Sequence, residues 1–228
     1  MESDLKKLVG IEIAKRVKDG EVIGVGSGTT VEAALEQIGA RIKNEGINLR
    51  IVPTSLQSAW KCQEMGLQVL SPGYYGELAW CFDGADEIDP KLWLIKGFHG
   101  ALLKEKILVS RSKRFVVIAD ESKLVQKLTQ KFAVPVEVIP EARSSVERDL
   151  AAIGAVSVKL RLVSHTCAPV ITEAGNILLD VLFKEVLAST EKEIKSIIGV
   201  VESGLFIGYT SEVIVAGKTG VYSLFPKN

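Results

Sequence analysis

The chain has 228 residues, of which 47% are hydrophobic, so it can bury a sizeable core as one large α/β domain or as one domain carrying a smaller one. Lysine plus arginine equal aspartate plus glutamate at 28 each, which excludes recruitment of nucleic acid or an anionic membrane by a global electrostatic field. Any anionic ligand must therefore be captured by a local site.

Neither a signal peptide nor a spanning helix is indicated, because charges interrupt every long apolar run. We therefore expect a cytoplasmic protein with no membrane partner. Cys62, Cys81 and Cys167 are odd in number and scattered, and with His99 and His165 as the only histidines they form no zinc-ligand spacing. We expect reduced, mostly packed thiols and no bound metal.

The first elements are a helix, a strand and a second helix. Apolar residues recur at helical spacing over residues 5–17, residues 21–25 are typical of a strand, and helical spacing returns over residues 31–42. Thr29 and Glu32 fit a capping box at the start of the second helix.

Between that strand and the second helix lies a loop of glycine, serine and threonine, residues 26–30. Free amides and the helix dipole point at a ligand in such a loop, and hydroxyls add donors, which predicts an anion site that suits phosphate. A dinucleotide fingerprint fails, because it needs glycine where Thr29 or Val31 stands, and the next strand ends in Pro53-Thr54 without the ribose-binding acid. A glycine-rich turn that binds nothing is the alternative.

The acidic stretch that follows the apolar residues 78–82 is the feature around which the chain is organised. The apolar residues predict a buried strand, which delivers Asp83 and Asp86 where Gly84 lets the chain turn. Carboxylates at the C-terminal end of a strand are where open α/β sheets place their chemistry. An Asx-rich turn whose acids bond local amides is the alternative, although four acids so close together cost energy unless a cation or a function compensates.

A flexible turn and a helix come next. Residues 96–100, which contain Gly97 and Gly100, predict a flexible turn that includes Lys96, and residues 101–108 predict a helix that carries Glu105 near its inner face. A solvated surface position between two lysines is the alternative for Glu105. With a clear strand at residues 114–120, the β and α alternation predicts a parallel sheet with helices on both faces.

From about residue 131 the pattern changes. Strands are predicted at residues 134–140, 156–162 and 176–183, and helices at 144–153 and 189–198, which suggests a small inserted α+β domain. Residues 204–206, 211–216 and 221–225 then look like strands that return to the first domain. The predicted division is residues 1–130 plus 204–228 as a Rossmann-like domain and residues 131–203 as the inserted domain.

Eight motifs, in this order, resemble the ribose-5-phosphate isomerase family of the A type. They are GVGSGTT at residues 24–30, DGADEI at 83–88, KG at 96–97, ALLKEK at 101–106, IADESK at 118–123, PVEVIP at 135–140, GN at 175–176 and GVVESGLF at 199–206. Each motif is weak by itself, whereas the ordered set is specific and covers almost the whole chain.

The resemblance implies interconversion of D-ribose 5-phosphate and D-ribulose 5-phosphate in the non-oxidative pentose phosphate route, without metal or organic cofactor. It also implies a Rossmann-like domain with a smaller ferredoxin-like lid, and a homodimer or homotetramer. By position, Glu105 matches the general base, Asp83 and Asp86 the active-site acids, and Lys96 the catalytic lysine.

The remaining positions carried over by the resemblance bind substrate. They are Ser27, Gly28, Thr29, Thr30, Gly84, Ala85, Gly97, Lys123 and, near the N-terminus, Lys6. One departure is visible, because Phe98 and His99 stand where family members usually carry glycines. These two side chains must face away from the substrate or narrow the site. His99 is expected at a loop position in solvent, and a part in the acid-base work is the alternative.

Two rival functions belong to other classes. A sugar-phosphate sensor of the kind found in transcription regulators needs a DNA-binding segment, but the first helix leads straight into the first strand with no helix-turn-helix ahead of it. A nicotinamide-dependent enzyme lacks its fingerprint. The isomerase is therefore the leading hypothesis, with the non-catalytic sensor as the alternative.

Overall fold

The computed structural model describes residues 2–71, 73–74 and 76–227. The α-helices are α1 (Glu2–Ala14), α2 (Thr29–Glu45), α3 (Leu56–Glu64), α4 (Leu102–Ser110), α5 (Arg143–Ala152) and α6 (Thr190–Ser196), with 3-10 helices at Glu121–Lys123 and Pro140–Ala142. The strands are β1 (Val22–Val25), β2 (Arg50–Pro53), β3 (Gln68–Val69), β4 (Trp80–Asp83), β5 (Glu87–Ile88), β6 (Leu94–Ile95), β7 (Phe115–Asp120), β8 (Val134–Val138), β9 (Ala155–Leu160), β10 (Ile177–Phe183), β11 (Val200–Ser203), β12 (Leu205–Phe206), β13 (Glu212–Gly217) and β14 (Gly220–Leu224). In this described part of the chain, no helix is both long enough and apolar enough to cross a membrane.

The chain divides into two compact units. The first comprises Met1–Ala85, Lys104–Lys123 and Tyr209–Asn228, and the second comprises Asp86–Leu103 and Leu124–Gly208. One boundary between the units falls between Ala85 and Asp86. Asp83 and Asp86 therefore belong to different units, although they are close in the sequence.

The first unit is built on a seven-stranded sheet of order β14-β13-β7-β4-β1-β2-β3. All neighbours are parallel except β14, which pairs antiparallel with β13. The apolar stripes of α1 and α2 pack with the sheet in one core, and Leu108 of α4 lies against Gly24. Strand order reverses between β1 and β4, and in open α/β sheets the carboxyl ends at such a switch point form the ligand crevice.

The second unit contains a four-stranded antiparallel sheet of order β11-β8-β10-β9. With α5 and α6 between its strands, its chain order is β-α-β-β-α-β, which is the ferredoxin-like arrangement. A small sheet of order β12-β6-β5 completes the unit. The predicted fold class, a Rossmann-like parallel-sheet domain with a smaller α+β domain, is confirmed.

Three strands escaped the sequence analysis. Strands β5 and β6 have two residues each, too few to show a period, and β11 lies within the motif at residues 199–206, for which the sequence predicts no strand over residues 200–203. Residues 204–206 were expected to return to the first domain, whereas β12 pairs with β6 and belongs to the second unit. The second unit also takes in residues 86–103 and 124–130, because their short strands pair with one another and with β12.

The three cysteines are free thiols, and their reactivity should differ. Cys62 and Cys81 are buried and Cys167 is exposed. Burial raises the pKa of Cys62 to about 12, so this thiol is protonated at neutral pH and a poor nucleophile. Alkylation of the native protein should modify Cys167 alone, and all three thiols after unfolding, as counted by mass spectrometry. Rapid alkylation of native Cys62 would contradict this burial.

Candidate active site

The loop after β1 is pressed against the end of β4. The amide of Gly26 donates to the carbonyl of Phe82 at 2.9 Å, and a Cβ on Gly26 would lie 2.0 Å from Cγ of Asp83. No side chain fits in that space, so glycine is required for the loop and the carboxylate to approach. The two chain segments that the sequence marked separately therefore meet at the switch point of the sheet.

Asp83 is fixed by backbone amides. Its Oδ1 accepts from the amide of Gly84 at 2.7 Å and from that of Ser27 at 3.1 Å, and the residue is 3% exposed. These two amide donors satisfy one oxygen of the carboxylate, which offsets part of the cost of burying it. The local-amide alternative is thus partly realised, since Gly84 is adjacent in the chain, but the second amide comes from the β1 loop.

Glu105 lies in the first turn of α4 and is 4% exposed, which excludes the solvated alternative. The hydroxyl of Ser27 donates to its Oε1 at 3.3 Å. Ser27 therefore contacts two buried carboxylates, Asp83 through its amide and Glu105 through its side chain. Two carboxylates in different surroundings, Asp83 and Glu105, therefore lie beside the loop at residues 26–30. Such a pair can divide the acid and base roles of a reaction.

The start of α2 differs from the prediction. Its N-cap is Gly28, which has no side chain to cap with, so the capping box of Thr29 and Glu32 is wrong. The hydroxyl of Thr29 instead accepts from Nζ of Lys6 at 3.0 Å, while Thr30 is half-buried in the first turn. The helix N-terminus thus keeps its dipole and amides for an anion, with a lysine held beside it.

Lys123 and Ala85 belong to the same unit. Lys123 ends the 3-10 helix that follows β7, so it also lies at the carboxyl end of the parallel sheet. Ala85 and Gly84, both half-buried, extend the chain from β4. Within the first unit, the predicted residues at positions 27–30, 83–85, 105 and 123 all follow the carboxyl ends of sheet strands or begin the helices there.

In the second unit, Asp86 immediately precedes β5 and Lys96 immediately follows β6. The amide of Asp86 donates to the carbonyl of Ile95 at 2.8 Å, and the amide of Lys96 donates to that of Gly204 at 2.9 Å. Lys96 is 3% exposed, with Nζ 5.7 Å from the ring centre of Phe206, a cation–π distance. The structure thus brings Asp86 and Lys96 into one small sheet.

Gly97 must be glycine, because its φ is 89° and a Cβ would lie 2.6 Å from Cβ of Leu102. The next residue, Phe98, is 53% exposed, and His99 is also exposed, with its ring 5.4 Å from that of Phe98. The amide of Phe98 donates to Oδ2 of Asp86 at 3.1 Å. Phe98 stands where family members usually carry glycine, yet its backbone amide still contacts Asp86, one of the predicted active-site acids.

The other two acids of the stretch are bound to backbone amides. Glu87, fully buried, accepts from the amides of Gln130, Lys131 and Phe132, the last at 2.7 Å. Oδ1 of Asp89 accepts from the amides at positions 91 and 93, both at 2.9 Å, and burial raises its pKa. The alternative of acids bound to local amides therefore holds for Asp89, whereas Glu87 binds amides from a distant stretch of the chain.

Sequence reasoning missed Ser58, which supports the β1 loop. Its hydroxyl donates to the carbonyl of Gly26 at 2.8 Å, while its amide donates to the hydroxyl of the N-cap residue Ser55 at 3.0 Å. The sequence signal for Ser58 is its position three residues after Ser55, the serine that caps α3. Across residues 2–71, 73–74 and 76–227, no three His, Cys, Asp or Glu side chains are grouped to hold a metal ion.

Comparison with known proteins gives a consistent result. The family model described as ribose 5-phosphate isomerase A (phosphoriboisomerase A) matches residues 50–220. The chain is 40% identical to ribose-5-phosphate isomerase A 1 of Oceanobacillus iheyensis, over 96% of each chain, and 41% identical to ribose-5-phosphate isomerase A of Methanocaldococcus jannaschii, over 97% of each.

Solved structures agree. The ribose 5-phosphate isomerase A structure from Methanocaldococcus jannaschii superposes with a TM-score of 0.94 at 40% identity, covering 99% of this chain and 100% of that one. A D-ribose-5-phosphate isomerase in complex with phospho-erythronic acid also has a TM-score of 0.94, at 36% identity over 99% of both chains. Full-length likeness at this identity means that the chain belongs to the ribose 5-phosphate isomerase A family.

Proposed function

We propose that this protein interconverts D-ribose 5-phosphate and D-ribulose 5-phosphate by proton transfer, without a cofactor. The observation that carries the proposal is the contact of Ser27 with two buried carboxylates, Asp83 and Glu105, at the carboxyl end of the parallel sheet. The relatives named above bear the name ribose-5-phosphate isomerase, and one of the solved structures is a complex with phospho-erythronic acid.

In the proposed reaction Glu105 is the general base. It removes the proton from C2 of the open-chain aldose and returns a proton to C1, so one carboxylate serves both transfers. Because Glu105 is buried, little water competes for the lone pairs of its carboxylate, and this makes the carboxylate more reactive toward a carbon acid. The hydroxyl of Ser27 donates to Oε1 and so helps to orient this carboxylate.

The oxygen chemistry is assigned to the lysine and the two aspartates. Lys96 stabilises the negative charge that develops on the enediolate oxygen. Asp83 opens the sugar ring, and Asp86 relays a proton from O2 to O1 as the carbonyl moves from C1 to C2. These two aspartate roles are interchangeable on chemical grounds, since both residues are carboxylates held by backbone amides.

The phosphate is assigned to the helix N-terminus after β1. Residues 27–30 supply amides and hydroxyls, Lys6 is held at Thr29, and Lys123 adds a second cation. Gly84, Ala85 and Gly97 contribute backbone to substrate binding in this proposal. Binding energy from the phosphate, remote from C1 and C2, positions the reacting carbons.

The domain roles, assembly and location are proposed as well. The first unit, residues 1–85, 104–123 and 209–228, would form the catalytic domain and residues 131–203 of the second unit the lid, in a cytoplasmic homodimer or homotetramer. Free thiols and the family's metabolic substrate support the location. Light scattering on a size-exclusion column decides the assembly, and a monomeric mass would overturn it.

The first test is turnover in heavy water. Purified protein treated with a metal chelator is incubated with ribose 5-phosphate, and the products are followed by NMR. We expect ribulose 5-phosphate with deuterium at C1, because the base exchanges its proton with solvent. The rate should be the same with and without chelator, because the proposed reaction uses no cofactor. Perturbed protein signals without turnover would favour the sugar-phosphate sensor instead.

A further inference from the structure

The exposed loop residue Phe98 is held on its carbonyl side by Arg161, which follows β9 in the second unit. Nη1 of Arg161 donates to the carbonyl of Phe98 at 2.6 Å and to that of Gly97 at 3.3 Å. One guanidinium nitrogen thus contacts two successive peptide groups. The positions of these two peptide groups are therefore set by a side chain that lies 63 residues from Phe98 in the sequence.

Arg161 is itself fixed by Asp180 on the neighbouring strand β10. Its Nε donates to Oδ2 and Oδ1 of Asp180 at 3.0 and 3.2 Å, and its Nη2 also donates to Oδ1. The Arg161 side chain is 13% exposed and that of Asp180 is 30% exposed. A planar guanidinium bound to a carboxylate on one side presents its remaining nitrogen in a fixed direction, which a lysine cannot do.

The Phe98 ring is held as well. Its centroid lies 5.6 Å from Cζ of Arg161, and 5.6 Å from the ring centroid of Phe132 in an edge-to-face arrangement. Phe132 is anchored in turn, since its amide donates to the buried carboxylate of Glu87. Cation–π and edge-to-face aromatic contacts of this kind are attractive. The ring and the carbonyl of Phe98 are thus restrained independently.

These restraints direct the remaining polar group of the residue, its amide, toward Asp86. The amide nitrogen of Phe98 lies 3.1 Å from Oδ2 of Asp86. The Gly97 carbonyl and the Phe98 amide belong to one peptide group, so a rotation of that peptide would break the contact of the carbonyl with Arg161 and the contact of the amide with Asp86 together. The loop is therefore stable in the one orientation that supplies Asp86 with a donor.

We infer that Arg161, locked by Asp180, is a positioning residue for isomerisation: it holds the Phe98 peptide so that its amide orients the carboxylate of Asp86. The inference rests on the proposed function in assigning Asp86 to the proton relay. Arg161 contacts no reacting atom in this scheme. Its effect should therefore fall on the chemical step rather than on capture of the phosphate.

The kinetic test compares Arg161→Met with Arg148→Met. Arg148 is a matched control, because it pairs with Asp149 in an exposed position of the same unit. For Arg161→Met we expect kcat to fall about 10- to 100-fold with KM changed less than about threefold, since small misplacements of a reacting group cost this much. The control should keep both constants within about twofold of wild type.

Chemical rescue separates positioning from general structural damage. Ethylguanidinium added to Arg161→Ala should restore at least part of the lost kcat, while leaving the melting temperature of the variant unchanged. Wild-type kcat in a folded Arg161→Met protein would overturn the inference. So would a loss of kcat that follows a lowered melting temperature and is not rescued.

Amide hydrogen exchange tests the positioning without turnover. In wild type the Phe98 amide should be protected, and in Arg161→Met its exchange should accelerate at least about tenfold, with no change in Arg148→Met. Unchanged exchange in Arg161→Met overturns the inference. If the wild-type protein has no isomerase activity, the proposed function fails, and this exchange measurement still decides whether Arg161 positions the Phe98 peptide.

Discussion

Replacing Glu105 by glutamine is expected to lower kcat for ribose 5-phosphate isomerisation by about 10²- to 10⁴-fold, the usual contribution of a general base. Glutamine has the same shape, and its amide oxygen can still accept the hydrogen bond from Ser27 that Glu105 accepts at 3.3 Å. The fold and the phosphate loop should therefore survive, and only the proton acceptor is removed. Steady-state rates and calorimetric titration with ribose 5-phosphate measure the two effects separately.

Glu36→Gln is the matched control for this variant, because Glu36 is an exposed glutamate on α2 of the same unit. It should turn over substrate at the wild-type rate. Affinity of Glu105→Gln for ribose 5-phosphate should stay within a few-fold of wild type, since the phosphate supplies most of the binding energy. Full activity of Glu105→Gln would remove the base role from this residue and leave Asp83 as the next candidate.

Replacing Arg16 by methionine should lower the free energy of unfolding by about 2–3 kcal/mol at neutral pH, somewhat below the range for fully buried pairs. Arg16, on the turn after α1, donates to Glu212 of β13 at 2.5 and 2.8 Å. The Glu212 side chain is only 4% exposed, and without Arg16 it keeps the hydroxyl of Ser223 at 2.8 Å and a longer contact with Arg114 at 3.4 Å, which compensate its buried charge incompletely. Chemical denaturation at several pH values gives the effect.

The pH dependence follows from the shifted carboxyl group. Hydrogen bonds from Arg16 lower the pKa of Glu212 below its ordinary value of 4.5 in the folded protein. Glu212 therefore contributes stability above that value, and this contribution is lost as pH falls through the lowered folded pKa. The difference between wild type and Arg16→Met should accordingly be largest near neutral pH and should shrink in acid.

Lys15→Met provides the control on the neighbouring residue. Lys15 pairs with Glu12 at 3.1 Å, but its side chain is 66% exposed, so its removal should cost less than about 1 kcal/mol. The double variant Arg16→Met/Glu212→Leu should recover part of the stability, because the stranded carboxylate is gone. Equal stability losses for Arg16→Met and Lys15→Met would show that burial of Glu212 carries no penalty.

Long periodic segments were predicted well. The helical pattern over residues 31–42 became α2, and the apolar run at residues 114–120 became β7, with ends within a few residues. Such segments carry enough repeats for burial on one face to be visible in the sequence. The two-residue strands β5 and β6 carry no repeat, and they form only because β12, more than 100 residues later in the chain, pairs with β6.

The sequence also showed which acidic residues lie near the site, but it did not show what each of them binds. The sequence placed Asp83, Asp86, Glu87 and Asp89 in one acidic cluster. The structure separates them, because Glu87 binds amides 43 to 45 residues away and Asp89 binds amides of its own turn. Sequence spacing cannot distinguish a carboxylate bound by distant amides from one available to a ligand.

The amino-acid sequence by itself determined the α/β class, the phosphate-type loop after β1 and the set of acids and lysines that the family resemblance assigns to catalysis. Periodicity and local turn chemistry carry that information. Only the tertiary structure decided that Glu105 is buried, that Ser27 contacts both it and Asp83, and that Arg161 holds Phe98. Each of these contacts joins residues 56 to 78 positions apart, so it exists only once strand order and register have brought the segments together.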